Sequence, residues 1–114
     1  MANEIRGYLS LPGSWLGEFE AGGLLGIASH VTSFVSVELD RWVAVNRARL
    51  LARTDDTGRG FVLSMSLDSD DAEAWRGGDD EPGAPVEALW VDGRNLTDFE
   101  SVLTAPVEIV GFYS

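Results

Sequence analysis

Period-two alternation of apolar and polar residues runs through much of this chain, and it predicts strands. Residues 5–11 place Ile5, Gly7, Leu9 and Leu11 on one face, and Pro12-Gly13 closes the run as a turn. Residues 15–20 set Trp15, Gly17 and Phe19 against Leu16, Glu18 and Glu20, and Ala21-Gly22-Gly23 is a hairpin candidate leading into 24–28. Residues 31–39 alternate most cleanly, with Val31, Ser33, Val35, Val37 and Leu39 opposing His30, Thr32, Phe34, Ser36 and Glu38. Asp40 marks a bend, because an unbroken strand from 31 to 53 would exceed normal strand length.

The next stretch admits two periods. As a strand, 41–53 lines Arg41, Arg47, Arg49 and Arg53 along one face, with Trp42, Ala44, Asn46, Ala48, Leu50 and Ala52 on the other. As a helix it has good formers in Arg and Ala, and Asp40 is a possible cap. At helical spacing, however, Trp42, Val43, Val45, Leu50 and Leu51 scatter around the circumference. The strand reading sorts both residue types and is the one adopted. Thr54 to Gly60 has the chemistry of a hairpin loop, so 42–53 and 61–67 should pair, in a register that buries Phe61, Leu63, Met65 and Leu67.

Residues 69–85 form a polar, Gly-rich acidic stretch, with a short helical turn expected near 72–75. A strand over 86–91 meets Asp92-Gly93, the best two-residue hairpin signal in the chain. Thr97-Asp98-Phe99-Glu100 fits a capping box and predicts a short helix near 98–104, cut short by Pro106. An apolar strand over 107–113 follows. The expected fold is one all-β, mainly antiparallel domain over 1–114: a small barrel or sandwich of about eight short strands with one minor helix. Its expected core includes Trp42, Leu50, Leu63, Met65, Val91, Phe99, Val107 and Ile109.

Charge changes that picture by adding a surface. Residues 41–53 carry +4 and no acid within a chain of net charge -11, so a basic segment sits on an acidic body. A nucleic-acid partner is disfavoured, because such a partner needs a basic footprint on the domain as a whole. With 114 residues the chain can bury a core without staples, and it has no Cys, which removes disulfides, thiolate catalysis and Cys-ligated metals. There is no Lys either, hence no Schiff base and no P-loop lysine. The N-terminal residues do not resemble a secretory leader and no apolar run approaches a membrane span, so a cytoplasmic or virion location is expected.

The candidate chemistry is sparse. His30 is the single imidazole, and Gly13-Ser14-Trp15-Leu16-Gly17 has the wrong spacing for a nucleophile elbow. Asp68, Asp70, Asp71 and Glu73, with Asp79, Asp80 and Glu81, have the hard oxygen donors that Ca²⁺ takes, but not the order of an EF-hand loop. A solvated acidic loop accounts for them, so no cofactor or metal is assigned and no enzyme activity is expected. The contact residues expected from charge and exposure are Arg47, Arg49, Arg53, Trp75, Asp79 and Asp80. Exposed ion pairs add only ~0–1 kcal/mol each, so the three Arg should matter little to folding. The function expected is that of a non-enzymatic interaction subunit. Its partners would be proteins, in an oligomer or large symmetric assembly such as a phage virion (a decoration or tail protein). The alternative is an acidic inhibitor or immunity protein that covers a basic site or mimics nucleic acid.

Overall fold

A computed structural model of the chain describes residues 4–73, 75 and 88–114. The strands are β1 (Glu4–Pro12), β2 (Phe34–Glu38), β3 (Gly60–Asp68), β4 (Ala88–Asp92) and β5 (Glu108–Tyr113). Between them lie the helices α1 (Leu16–Gly26), α2 (Arg41–Thr54), α3 (Ser69–Glu73) and α4 (Leu96–Ser101). The strands form one open antiparallel sheet in the order β4-β2-β1-β3-β5. The all-β barrel or sandwich is therefore corrected to a mixed α/β fold whose sheet does not close.

Parity within the strands was read correctly from sequence, and it organises the larger core. Leu9 and Leu11 of β1 share a face with Phe61, Leu63, Met65 and Leu67 of β3, because Leu9 stands opposite Leu63 and Leu11 opposite Phe61. Val37 of β2 and Leu89 and Val91 of β4 extend that face outward. Phe19 and Leu24 of α1, and Leu96 and Phe99 of α4, close over it. Burying each such large side chain contributes roughly 1.5–3 kcal/mol.

The principal correction lies in α2. Residues 41–54 are one helix and not a strand, so the hairpin of 42–53 with 61–67 does not form; β3 pairs β1 and β5 instead. Asp40 stays extended and its carboxylate accepts the N–H of Trp42 at 2.8 Å, capping the first turn. The buried stripe is Ala44, Val45, Ala48 and Ala52, at helical spacing, and it covers Val62 beside Tyr8, Val110 and Tyr113 on the face opposite the larger core. These side chains are small, so the helix lies very close to the sheet. Ser10 Oγ donates to the carbonyl of Ala44 at 2.5 Å. A Cβ at Gly60 would collide with the Ala48 carbonyl oxygen, so β3 begins on a glycine by necessity. Judging the helical wheel by the large apolar residues alone hides this alanine stripe.

The second correction is α1. The expected strands 15–20 and 24–28 are one helical segment, and Gly22-Gly23 is not a hairpin. Gly23 instead breaks the helix, with φ 62° and ψ -148°, backbone geometry that glycine adopts without steric cost. Asp92-Gly93 is likewise no hairpin. Asp92 caps a short turn by accepting the N–H of Arg94 at 3.0 Å, and the turn leads directly into α4. The helix near 98–104 exists but starts earlier, at Leu96, and its N-cap Asn95 makes no side-chain bond, so the capping box is not formed.

Of the expected core, Leu63, Met65, Val91 and Phe99 are buried, and Val107 and Ile109 pack against it half-buried. Trp42 and Leu50 are 69% and 59% exposed, since α2 turns them to solvent. The stability ranking follows. Leu63→Ala and Phe99→Ala should each cost roughly 2–5 kcal/mol. Trp42→Ala and Leu50→Ala should change the unfolding free energy of the isolated chain by only about 0.5 kcal/mol. Urea denaturation of the four variants checks this, and a large loss for Leu50→Ala would mean that α2 faces the other way.

Candidate functional site

The outward face of α2 is the most unusual surface of the molecule. Trp42, Val43 and Leu50 are exposed there, on a helix whose inner side holds mostly alanine. Arg49 and Arg53 are four residues apart and share one flank of the helix. Arg47 falls on the other. The straight Arg row expected of a strand is thus divided.

Arg47 also has a structural partner. Its Nη2 lies 3.1 Å from Oε1 of Glu38, whose side chain is almost wholly buried at the end of β2. Ser36 Oγ donates to the same oxygen at 2.8 Å. Glu38 pairs with Tyr8 across β1 and with Ala88 across β4, so this carboxylate sits within the sheet and not at its rim. On the same face, Phe34 and Trp90 are 61% and 50% exposed, where α2 gives way to the two outer strands. The pattern of residues 31–39 marked Glu38 as one polar position among others; its burial arises only once α2 brings Arg47 over it.

The remaining contact candidates separate. Trp75 is half-buried, packed edge-on against Phe99 with ring centroids 6.0 Å apart, and its carbonyl accepts the N–H of Trp90 at 3.1 Å. That placement makes it a wall of the core and not an exposed anchor. Asp79 and Asp80 lie outside the described residues. Asp68 accepts the N–H of Asp70 at 2.9 Å, which starts α3. Among the described residues no three His, Asp or Glu side chains converge as metal ligands.

His30 is held rather than poised. Its Nε2 is bonded to Glu18 and its ring stacks on Trp15, with centroids 4.9 Å apart. Ser14, next to Trp15 in sequence, donates to Asp55 Oδ1 at 2.5 Å instead. Hydroxyl and imidazole therefore have separate carboxylate partners, which is not the relay that nucleophilic catalysis needs. The Ser14 hydroxyl first, then that of Thr57, lowers the Asp55 carboxyl from its ordinary 3.8 to about 2. This bond set ties the turn after β1 to the loop between α2 and β3.

Comparison with known protein families, curated proteins and solved structures found no match.

Two outcomes follow. Arg47→Gln leaves a buried carboxylate without its cation and should destabilise by about 1–3 kcal/mol, while Arg49→Gln stays within about 0.5 kcal/mol. Equal effects in chemical denaturation would show that the Glu38 pair carries nothing. The Asp55 bonds favour the folded state when the carboxylate is ionised, so their contribution is complete above about pH 4 and fades as pH falls toward 2. Asp55→Asn should lower the melting temperature at neutral pH, with the gap to the parent closing near pH 2. A gap independent of pH would contradict the assignment.

Proposed function

We propose that this chain is a non-enzymatic interaction subunit that docks through the outward face of α2, with a second copy of itself as the neighbour. The observation that carries this is the inverted helix: Ala44, Ala48 and Ala52 face the sheet while Trp42, Val43 and Leu50 face water. Exposing large apolar side chains on an isolated helix face has a cost in solubility that burial at an interface removes. Trp and Arg are also the residue types that most often anchor protein contacts.

Charge favours the chain itself as partner. The face offers Arg49 and Arg53 on a helix without acids, and the molecule as a whole is at -11. A neighbouring copy therefore presents an acidic surface of the kind the α2 face complements, in a head-to-tail contact that closes into a ring or extends into a filament. A large symmetric assembly, such as a phage virion in which the chain serves as a decoration or tail protein, is the setting this geometry suits. Nucleic acid is a poorer occupant: the acidic body repels phosphate at long range, and two or three Arg do not offset it.

Size-exclusion chromatography with light scattering over a concentration series tests the reading. The parent should associate, more weakly as salt rises. Trp42→Ala combined with Leu50→Ala should weaken association by about tenfold or more without loss of folding. A parent chain that stays monomeric at high concentration and low salt overturns the proposal.

A further inference from the structure

On the opposite face of the sheet, α1, α4 and the turn that follows α4 border an open groove of about 400 Å³. Its lining is mixed: the apolar side chains are Leu103, Pro106 and Val107 from the chain beyond α4, over the nearly buried Phe19 and Leu24 of α1, with polar atoms between them. The break at Gly23 opens one side, since no atom lies within 4 Å of where its side chain would start. This volume is within the range of small-molecule sites, which combine mostly apolar walls with a few polar groups that fix orientation.

The ionisable residue at this groove is Glu100, solvent-exposed at its edge. Its carboxylate makes no hydrogen bond or ion pair among the described residues, whereas Glu18 of α1 is committed to His30. Glu20 and Asp98 add negative charge on the same two helices. Neither α1, α4 nor residues 102–107 contributes an Arg or Lys. A partly apolar groove with an exposed carboxylate at its edge, in a field of one sign, favours a ligand with an apolar body and one positive charge.

We infer that this groove binds a small amphiphilic amine, an arylalkyl or alkyl ammonium ion, with its carbon skeleton between Phe19, Leu24 and Val107 and its ammonium on Glu100. The site is on the face of the sheet away from α2 and is independent of docking through that helix. A neutral ligand of the same shape keeps the apolar contacts but gives up the charge-assisted bond. A carboxylate ligand of similar size meets repulsion.

The probe is phenethylammonium, titrated into the full chain with isotopically labelled methyl groups and compared with 2-phenylethanol and 3-phenylpropionate. Saturable shifts are expected at the methyls of Leu24, Leu103 and Val107, with a dissociation constant on the order of millimolar. The neutral alcohol should bind about tenfold more weakly, and the acid should not bind. Glu100→Gln should erase the preference for amine over alcohol. Ala105→Trp, at an exposed position on the rim, should block both the amine and the alcohol while leaving shifts elsewhere unchanged. Absence of saturation with the amine overturns the inference. So does equal affinity for amine and alcohol in the parent chain.

Discussion

The close approach of α2 to the sheet governs much of this molecule. A helix seated on alanines needs a glycine beneath it at Gly60 and a small hydroxyl beside it at Ser10, and both are present. Once Ala44, Ala48 and Ala52 occupy the inner stripe, the larger residues of the same helix have only the flanks and the outer surface left. Trp42, Val43 and Leu50 are exposed for that reason, and not because the helix is loosely packed. Interiors are packed densely enough that a large side chain at Ala48 would lift the helix off β1 and β3 together.

The same placement decides which charges are structural. Arg47 reaches from α2 to the Glu38 carboxylate, which is buried where the helix crosses the sheet, so its guanidinium compensates a buried charge. Arg49 and Arg53 have the same chemistry and the opposite flank, and they remain available to a neighbour. A basic segment that looks uniform in sequence is thus one internal ion pair plus a smaller external patch. The difference is one of helical phase, between about a third and a half of a turn.

Strands were legible in the sequence where large apolar residues alternated with small or polar ones, even in β3, whose two faces are both buried. The parity of 5–11 and 61–67 gave the correct inner faces of β1 and β3, and 31–39 and 107–113 gave the positions of β2 and β5 within a few residues. The two long helices were missed for different physical reasons. In α2 the buried stripe is mostly alanine, with Val45, and carries little hydrophobic signal, while the largest apolar residues point outward. In α1 the break at Gly23 interrupts helical periodicity, and its two glycines imitate a hairpin turn. For the candidate surface, the sequence showed that 41–53 was basic and unusual. It could not show that Arg47 belonged to Glu38, since that pairing depends on a helix lying across β2. The groove beside Glu100 was invisible for the same reason, being built from segments about eighty residues apart.

The two faces of the sheet end with opposite electrostatic characters. Among the described residues, α2 brings the dense group of cations to one side, while α1 and α4 bring acids and no Arg to the other. In a chain of net charge -11 this separation has a directional consequence. A second copy approaching its own two-fold mate with α2 facing α2 would oppose Arg to Arg, whereas one approaching with an acidic face toward α2 would not. Like-charge contact of the first kind costs free energy at the encounter, before any apolar area is buried. The charge distribution therefore weighs against isologous pairing through α2 and for a heterologous contact, which repeats without self-complementarity and generates rings or filaments. For the docking proposed through α2, an acidic body with one cationic helix would act as a polar building block, and the exposed tryptophan and leucine on that helix would supply the apolar area that charge alone would not.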